Sequence, residues 1–222
     1  MVLFTDIDDE NIAYHVTNDI NQVNNAREKL SKKHNYDNKK LHYMEQIHSS
    51  IVKNISSSKN PQKCDALITN QKNTPLMVMV ADCIPILFYD NIKKVIAVAH
   101  AGRAGTFENI AKDTIDKMMK DYSSNPNNIE IILGPSIQKC CYEVSQELVN
   151  ITSKKFGDKF VNNRNIDLQG INKKQLLEKG IKKENINISD ICTKCSNQPY
   201  FSYRKDSKCG RFAGIIMLPS FT

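Results

Sequence analysis

The run "PLMVMVADCIPILFYDNIKKVIAVAHAGRAG" (75–105) constrains this chain more than any other stretch. Its first part, 76–88, predicts a strand buried on both faces. Asp82 near its middle and its short length exclude a bilayer span. A second buried strand, 93–101, follows the turn-like "DNIKK". One cysteine, Cys83, and one histidine, His100, sit inside this apolar sequence, and they raise the question of what chemistry they serve.

The other segments supply strands and helices in alternation. Strand-like runs occur at 2–4, 11–16, 41–48 and 51–55, with a polar helical segment near 19–33. Ile110, Thr114, Ile115, Met118 and Met119 recur at helical spacing within 106–122, with Thr106 as its expected cap and Asn109 three residues on. A strand at 129–134, helices at 143–156 and 170–180, the run "NINISDI" and strands at 199–206 and 210–218 complete the chain. The fold class is therefore α/β, a layered sandwich of mixed β-sheet with flanking helices, in one domain over 1–222.

With 40% hydrophobic residues, the chain can bury its core without disulfides or metal staples. The net charge of +7 comes from scattered lysines set among Asn, Ser and Asp, a pattern of solvated faces. A nucleic-acid partner is not expected. The opening "MVLFTDIDDE" lacks signal-peptide character and the cysteines number seven, an odd count, so the expected compartment is the reducing cytoplasm, with no membrane attachment. Dinucleotide-binding, P-loop and nucleophile-elbow motifs are absent.

If Asn91 and Ile92 form a two-residue hairpin loop, Cys83 falls directly opposite His100 on one face. A thiolate and an imidazole so placed can share a metal ion, with Zn–S near ~2.3 Å and Zn–N near ~2.0 Å. Pro85 removes a ladder donor and permits a bulge there. The third ligand would come from the four remaining histidines, His15, His34, His42 and His48. His34 lies among lysines, whereas His48 closes a strand-like run before small polar residues and His42 shares its parity. Taken singly, each histidine reads first as a hydrogen-bonded structural residue and Cys83 as a small buried hydrophobe. A rival site, "CTKC" (192–195), lacks a second closely spaced pair: Cys209 stands alone, and the adjacent Cys140 and Cys141 are a poor substitute. A zinc ribbon is not expected there.

Taken in order, "QIHSS", "CDALITNQ", "VADCIPILFYD", "VAHAG", "GPSIQKCCYEV", "DLQGIN", "CT" and "FSYRKD…GRFAGIIML" resemble the YfiH/laccase-domain family, whose members are described as purine nucleoside phosphorylases and formerly as multicopper polyphenol oxidases. The resemblance runs from about residue 40 to the C-terminus. It implies a cysteine-hydrolase-like sandwich and metal binding by His48, Cys83 and His100. The family's "HAGWRG" is here "HAGRAG", so Arg103 stands at the tryptophan position and Ala104 at the arginine position.

Three protein ligands mark a catalytic zinc with one position left for a reactant. The activity that the resemblance implies is zinc-dependent phosphorolysis of adenosine, inosine and S-methyl-5′-thioadenosine, with adenosine deamination as a further activity in which Asp82 would shuttle protons. Deamination would be a separate invention, because the H-x-E…P-C-x-x-C signature is absent. Arg204, Arg211 and Arg103 are the candidates for binding phosphate, and Phe201 and Tyr203 could stack on a purine. Two alternatives stand beside this: a copper-dependent phenol oxidase, for which five histidines are few, and a metal-free cysteine hydrolase using Cys83 with His100 or His48.

Overall fold

The computed structural model describes residues 1–55 and 60–220. Its strands are β1 (Val2–Phe4), β2 (His42–Glu45), β3 (Val52–Asn54), β4 (Gln62–Lys63), β5 (Ala66–Thr69), β6 (Leu76–Val80), β7 (Ile84–Asp90), β8 (Val95–Ala101), β9 (Ile129–Leu133), β10 (Val161–Asn162), β11 (Asn165–Ile166), β12 (Ile186–Ile188) and β13 (Phe212–Ile216). The α-helices are α1 (Ile20–Lys33), α2 (Arg103–Phe107), α3 (Ile110–Tyr122), α4 (Gln146–Phe156) and α5 (Leu168–Glu178). One mixed sheet runs β1-β13-β6-β2-β4 and a second runs β12-β9-β7-β8-β5-β3, with β10 and β11 forming a small ribbon.

Alternation along the central strands builds the layers. Leu76, Val78 and Val80 of β6 point inward and meet Leu67, Leu87, Ile96 and Val98 of the other sheet in one buried cluster. Met77 and Met79 face the opposite way and pack with Ala26 and Leu30 of α1. The outer face of the second sheet, with Ile84, Ile86, Phe88 and Ala97, lies against Ile115, Met118, Val149 and Leu176 of α3, α4 and α5. The result is helix, sheet, sheet, helices, a layered α/β sandwich. No helix among the described residues is long and apolar enough to cross a membrane.

The apolar run 76–88 is two strands in different sheets rather than one. The chain leaves β6 at Val80, turns at Asp82, whose φ is +83°, and enters β7 at Ile84. Cys83 therefore sits on the crossover between the sheets. The hairpin that follows has a longer loop than expected, because Asp90 Oδ1 accepts from the N–H groups of Ile92 and Lys93 at 2.9 Å each and closes a four-residue turn. His100 consequently pairs with Pro85, not with Cys83.

Other boundaries also move. The run 11–16 contains a short 3-10 turn, Tyr14–Val16, and β2 stops at Glu45, before His48. The helix expected over 106–122 is divided by Asn109, which holds φ +68°. Thr106 is not a cap: it lies buried inside α2, where its hydroxyl oxygen accepts from Asn172 Nδ2 at 2.9 Å. Residues 199–206 form a turn, with Asp206 N–H donating to the Ser202 carbonyl at 2.9 Å, where a strand was expected.

Candidate metal centre

Three chain segments converge where the sheets meet. His100 lies on the inward face of β8, one residue before its end, Cys83 lies on the crossover, and His48 occupies the loop after β2 with φ +59°. The candidate ligand atoms of His48, Cys83 and His100 all lie within 4.8 Å of one another. The two imidazoles stand edge to face, with centroids 4.8 Å apart. Two nitrogens and one sulfur at this spacing suit one ion with ligands at ~2.0–2.3 Å.

Asp65 organises the two histidines and was not singled out in the sequence. It is fully buried at the head of β5, and Oδ1 lies 2.8 Å from His100 Nδ1 while also accepting from the His48 N–H at 3.0 Å. Oδ2 accepts from the Ser49 N–H at 2.7 Å and the Ser49 hydroxyl at 2.8 Å. Burial opposes ionisation, but the His100 and Ser49 hydrogen bonds prevail and hold the Asp65 carboxyl at about 2. An ionised Asp65 keeps the His100 proton on Nδ1 and turns Nε2 toward the sulfur. This carboxylate–imidazole arrangement is the one that orients metal-binding histidines. The only signal for it in the sequence was a charged residue heading the apolar "ALIT".

The same contacts shift the sulfur. Burial would raise the Cys83 thiol, yet the charge and hydrogen bonds of His100 and then His48 bring it down to about 6. Burial would lower His100, but Cys83 and Asp65 hold it up at about 9. Gly102 completes the cradle, since a Cβ there would lie 2.9 Å from Cys83 Sγ, 3.4 Å from His48 Cδ2 and 3.7 Å from His100 Nε2. Any larger residue would fill the space the ligands share.

Two cavities open on this cluster. The larger, of about 540 Å³, is lined by His15, Met44, Met79, Tyr203 and Arg211 together with all three candidate ligands. The smaller, of about 280 Å³, shares His48, Cys83 and Tyr203 and adds Arg103, Ala104, Tyr142 and Arg204. The three arginines are thus divided. Arg103 and Arg204 line the small cavity and Arg211 the large one, where its Nη1 donates to the Cys209 carbonyl at 2.8 Å. Arg204 Nη1 donates to the Glu143 carbonyl at 2.9 Å, and its guanidinium lies 4.9 Å from the Tyr142 ring centroid. His15 and Tyr142 were not anticipated as lining residues.

Asp82 is next to Cys83, but both its oxygens are engaged. Oδ1 accepts from the Thr193 hydroxyl and Oδ2 from the Arg204 N–H, each at 2.7 Å. Phe201 packs against the inter-sheet core, away from both cavity linings. A second group also forms: Cys140, Cys141, Cys192 and Cys195 have sulfurs within 4.8 Å of one another. The adjacent pair is therefore a fitting partner for "CTKC", contrary to expectation, because a turn at Lys139–Cys141 replaces the alternation that would separate neighbours on a strand.

Comparison with known proteins places these features in a family. Residues 4–219 match the family described as multi-copper polyphenol oxidoreductase laccase. A purine nucleoside phosphorylase of Clostridium acetobutylicum is 38% identical over 190 residues, covering 81% of this chain and 77% of the relative. The purine nucleoside phosphorylase YfiH of Escherichia coli is 30% identical over 222 residues, covering 95% and 87%. The crystal structure of the hypothetical protein YfiH of Bacillus licheniformis superposes with a TM-score of 0.88 at 27% identity, covering 94% of this chain and 85% of that one. The chain belongs to the multi-copper polyphenol oxidoreductase laccase family, of which YfiH-like proteins are members.

Proposed function

We propose that this chain is a cytoplasmic purine nucleoside phosphorylase that holds zinc between His48, Cys83 and His100 and cleaves adenosine, inosine and S-methyl-5′-thioadenosine with phosphate. The observation that carries this is the position of the cluster between two unequal cavities, with His48 and Cys83 on the wall they share and His100 on the larger; one is large enough for a nucleoside and the other is flanked by two arginines. The names of the relatives support the same reaction. Zinc held by His48, Cys83 and His100 would supply Lewis-acid chemistry toward a reactant oxygen or nitrogen.

The chain's own residues account for the rest. Arg103 and Arg204 hold phosphate through charge-assisted hydrogen bonds. Met44 and Met79 give the larger cavity an apolar wall for the base, with Tyr203 between the two spaces. A phosphate oxygen then bonds to C1′ as the C1′–N9 bond breaks, and the departing purine takes up a proton, leaving (thio)ribose 1-phosphate. Asp82 positions Arg204 rather than moving protons, since both its oxygens are engaged. Adenosine deamination, which needs a proton-shuttling carboxylate, is accordingly the lesser activity.

Zinc is favoured over copper phenol oxidation because the other His/Cys group among the described residues contains only cysteines. A metal-free cysteine hydrolase is the alternative, and one observation favours it: Cys83, His100 and Asp65 line up as nucleophile, base and orienting acid. Metal analysis of protein purified without chelator, together with adenosine cleavage followed with and without phosphate, separates these possibilities. Bound zinc and ribose 1-phosphate formation support the phosphorylase. Base release indifferent to phosphate would show a hydrolase.

A further inference from the structure

We propose that Cys140, Cys141, Cys192 and Cys195 form a second, structural zinc site, separate from the one at His48. Topology brings the four together. Strands β9 and β12 are parallel neighbours, so the segments that follow them leave the same end of the sheet. Pairing continues past the strand ends, where Ser136 bridges Cys192 and the Thr193 N–H donates to the Ser136 carbonyl at 3.1 Å. Gln138 adds a side-chain clamp, its Nε2 donating to the carbonyls of Ser189 and Ile191 at 3.2 Å each. Each segment then turns, through Cys141 N–H to the Gln138 carbonyl and Ser196 N–H to the Cys192 carbonyl, both at 2.9 Å. Those turns aim two sulfurs apiece at one point.

The spacing fits tetrahedral thiolate coordination. Four sulfurs at ~2.3 Å from zinc stand about 3.8 Å from one another. Cys140 Sγ and Cys195 Sγ are 3.6 Å apart, and all four sulfurs lie within 4.8 Å. A disulfide needs ~2.05 Å and would use only two of them. Four protein ligands close the coordination shell, which marks a structural rather than a catalytic ion. The ion would tie together the two loops behind the reaction site. Thr193, between two of the ligands, donates to Asp82, and Asp82 in turn holds the Arg204 backbone beside Cys83.

The test starts from Cys83→Ser, which disables the first site. Purified without chelator, this variant should keep about one zinc per chain, and the wild type about two. Adding Cys192→Ser to Cys83→Ser should remove the remaining zinc. Should that double variant fail to fold, alkylation of the wild type decides the matter: Cys140 and Cys195, though exposed, should react with iodoacetamide only after a zinc chelator is added. The proposal is overturned if Cys83→Ser retains no zinc or carries iron in its place. It is equally overturned if Cys140 and Cys195 are alkylated at the same rate with and without chelator, or if the purified chain carries a Cys140–Cys195 disulfide.

Discussion

Asp65 Oδ1 touches both candidate histidines, lying 2.8 Å from His100 Nδ1 and accepting from the His48 N–H at 3.0 Å. One buried carboxylate thus fixes an imidazole tautomer on one strand and the backbone of a loop from another sheet. Changing Asp65 to Asn keeps the shape and removes the charge. Loss of such an orienting carboxylate lowers metal affinity about 10–100-fold. Competition with a chelating dye measures it, and an unchanged affinity would show that His100 needs no anionic partner.

Gly102 is required for space rather than for backbone freedom. Its φ of −74° is open to any residue, so Gly102→Ala carries no conformational penalty. The added Cβ would nevertheless lie 2.9 Å from Cys83 Sγ. Bound zinc and turnover should both fall sharply while the melting temperature changes by a few degrees at most. A variant with full zinc and full turnover would show that the sulfur can move aside freely.

Cys83→Ser replaces a soft thiolate by a hydroxyl, a much poorer ligand for zinc. The fold rests on the inter-sheet and helix-facing clusters, to which Cys83 is peripheral, so circular dichroism should be unchanged. Zinc at the His48–His100 pair and phosphorolysis should both collapse. Activity rescued in Cys83→Ser by added zinc would demote the sulfur from ligand to neighbour.

The sequence picked out three side chains that the fold brings together, but not the geometry that assembles them. Cys83 and His100 were expected to meet as directly opposed hairpin partners, but Asp90 lengthens the turn and moves the register by two. They meet all the same, because Cys83 lies two residues before Pro85, the partner of His100, and so reaches it diagonally past Gly102. The break at Asp82 was hidden by apolar residues on both sides of it, since burial in two sheets and burial in one give the same composition. The cysteine cluster was hidden for another reason. "CTKC" and the adjacent Cys140 and Cys141 are visible locally, but nothing local says that they meet, and only the β9–β12 pairing joins the turns that carry them.

Tyr36 provides a pH-dependent prediction away from the site. The residue is 8% exposed and its hydroxyl has no hydrogen-bond partner among the described residues. Burial pushes its pKa up to about 12 from an ordinary 10. The folded state therefore holds this proton more tightly than the unfolded chain, and stability falls as pH rises from 10 through about 12. Tyr36→Phe should flatten that part of the alkaline decline in urea midpoints, and removing an unpaired hydroxyl should cost little stability at neutral pH. An equally steep decline in the variant would place the titration elsewhere.

Phosphate recognition should divide between Arg103 and Arg204, because both line the smaller cavity while Arg211 lines the larger one. Arg103 opens α2 from the position that holds tryptophan in the family pattern, which brings a guanidinium to this cavity although the next residue is Ala104. Arg204 is pre-oriented by the Glu143 carbonyl, the Tyr142 ring and the Asp82 contact to its backbone. Lysine in its place keeps a charge but loses the planar fork and the ring stacking. Arg204→Lys should therefore raise the phosphate KM several-fold with zinc content intact. Arg103→Ala should raise it further, by removing a charge outright. Arg211→Lys should affect the nucleoside KM instead, and phosphate dependence altered only in Arg211→Lys would move the anion to the larger cavity.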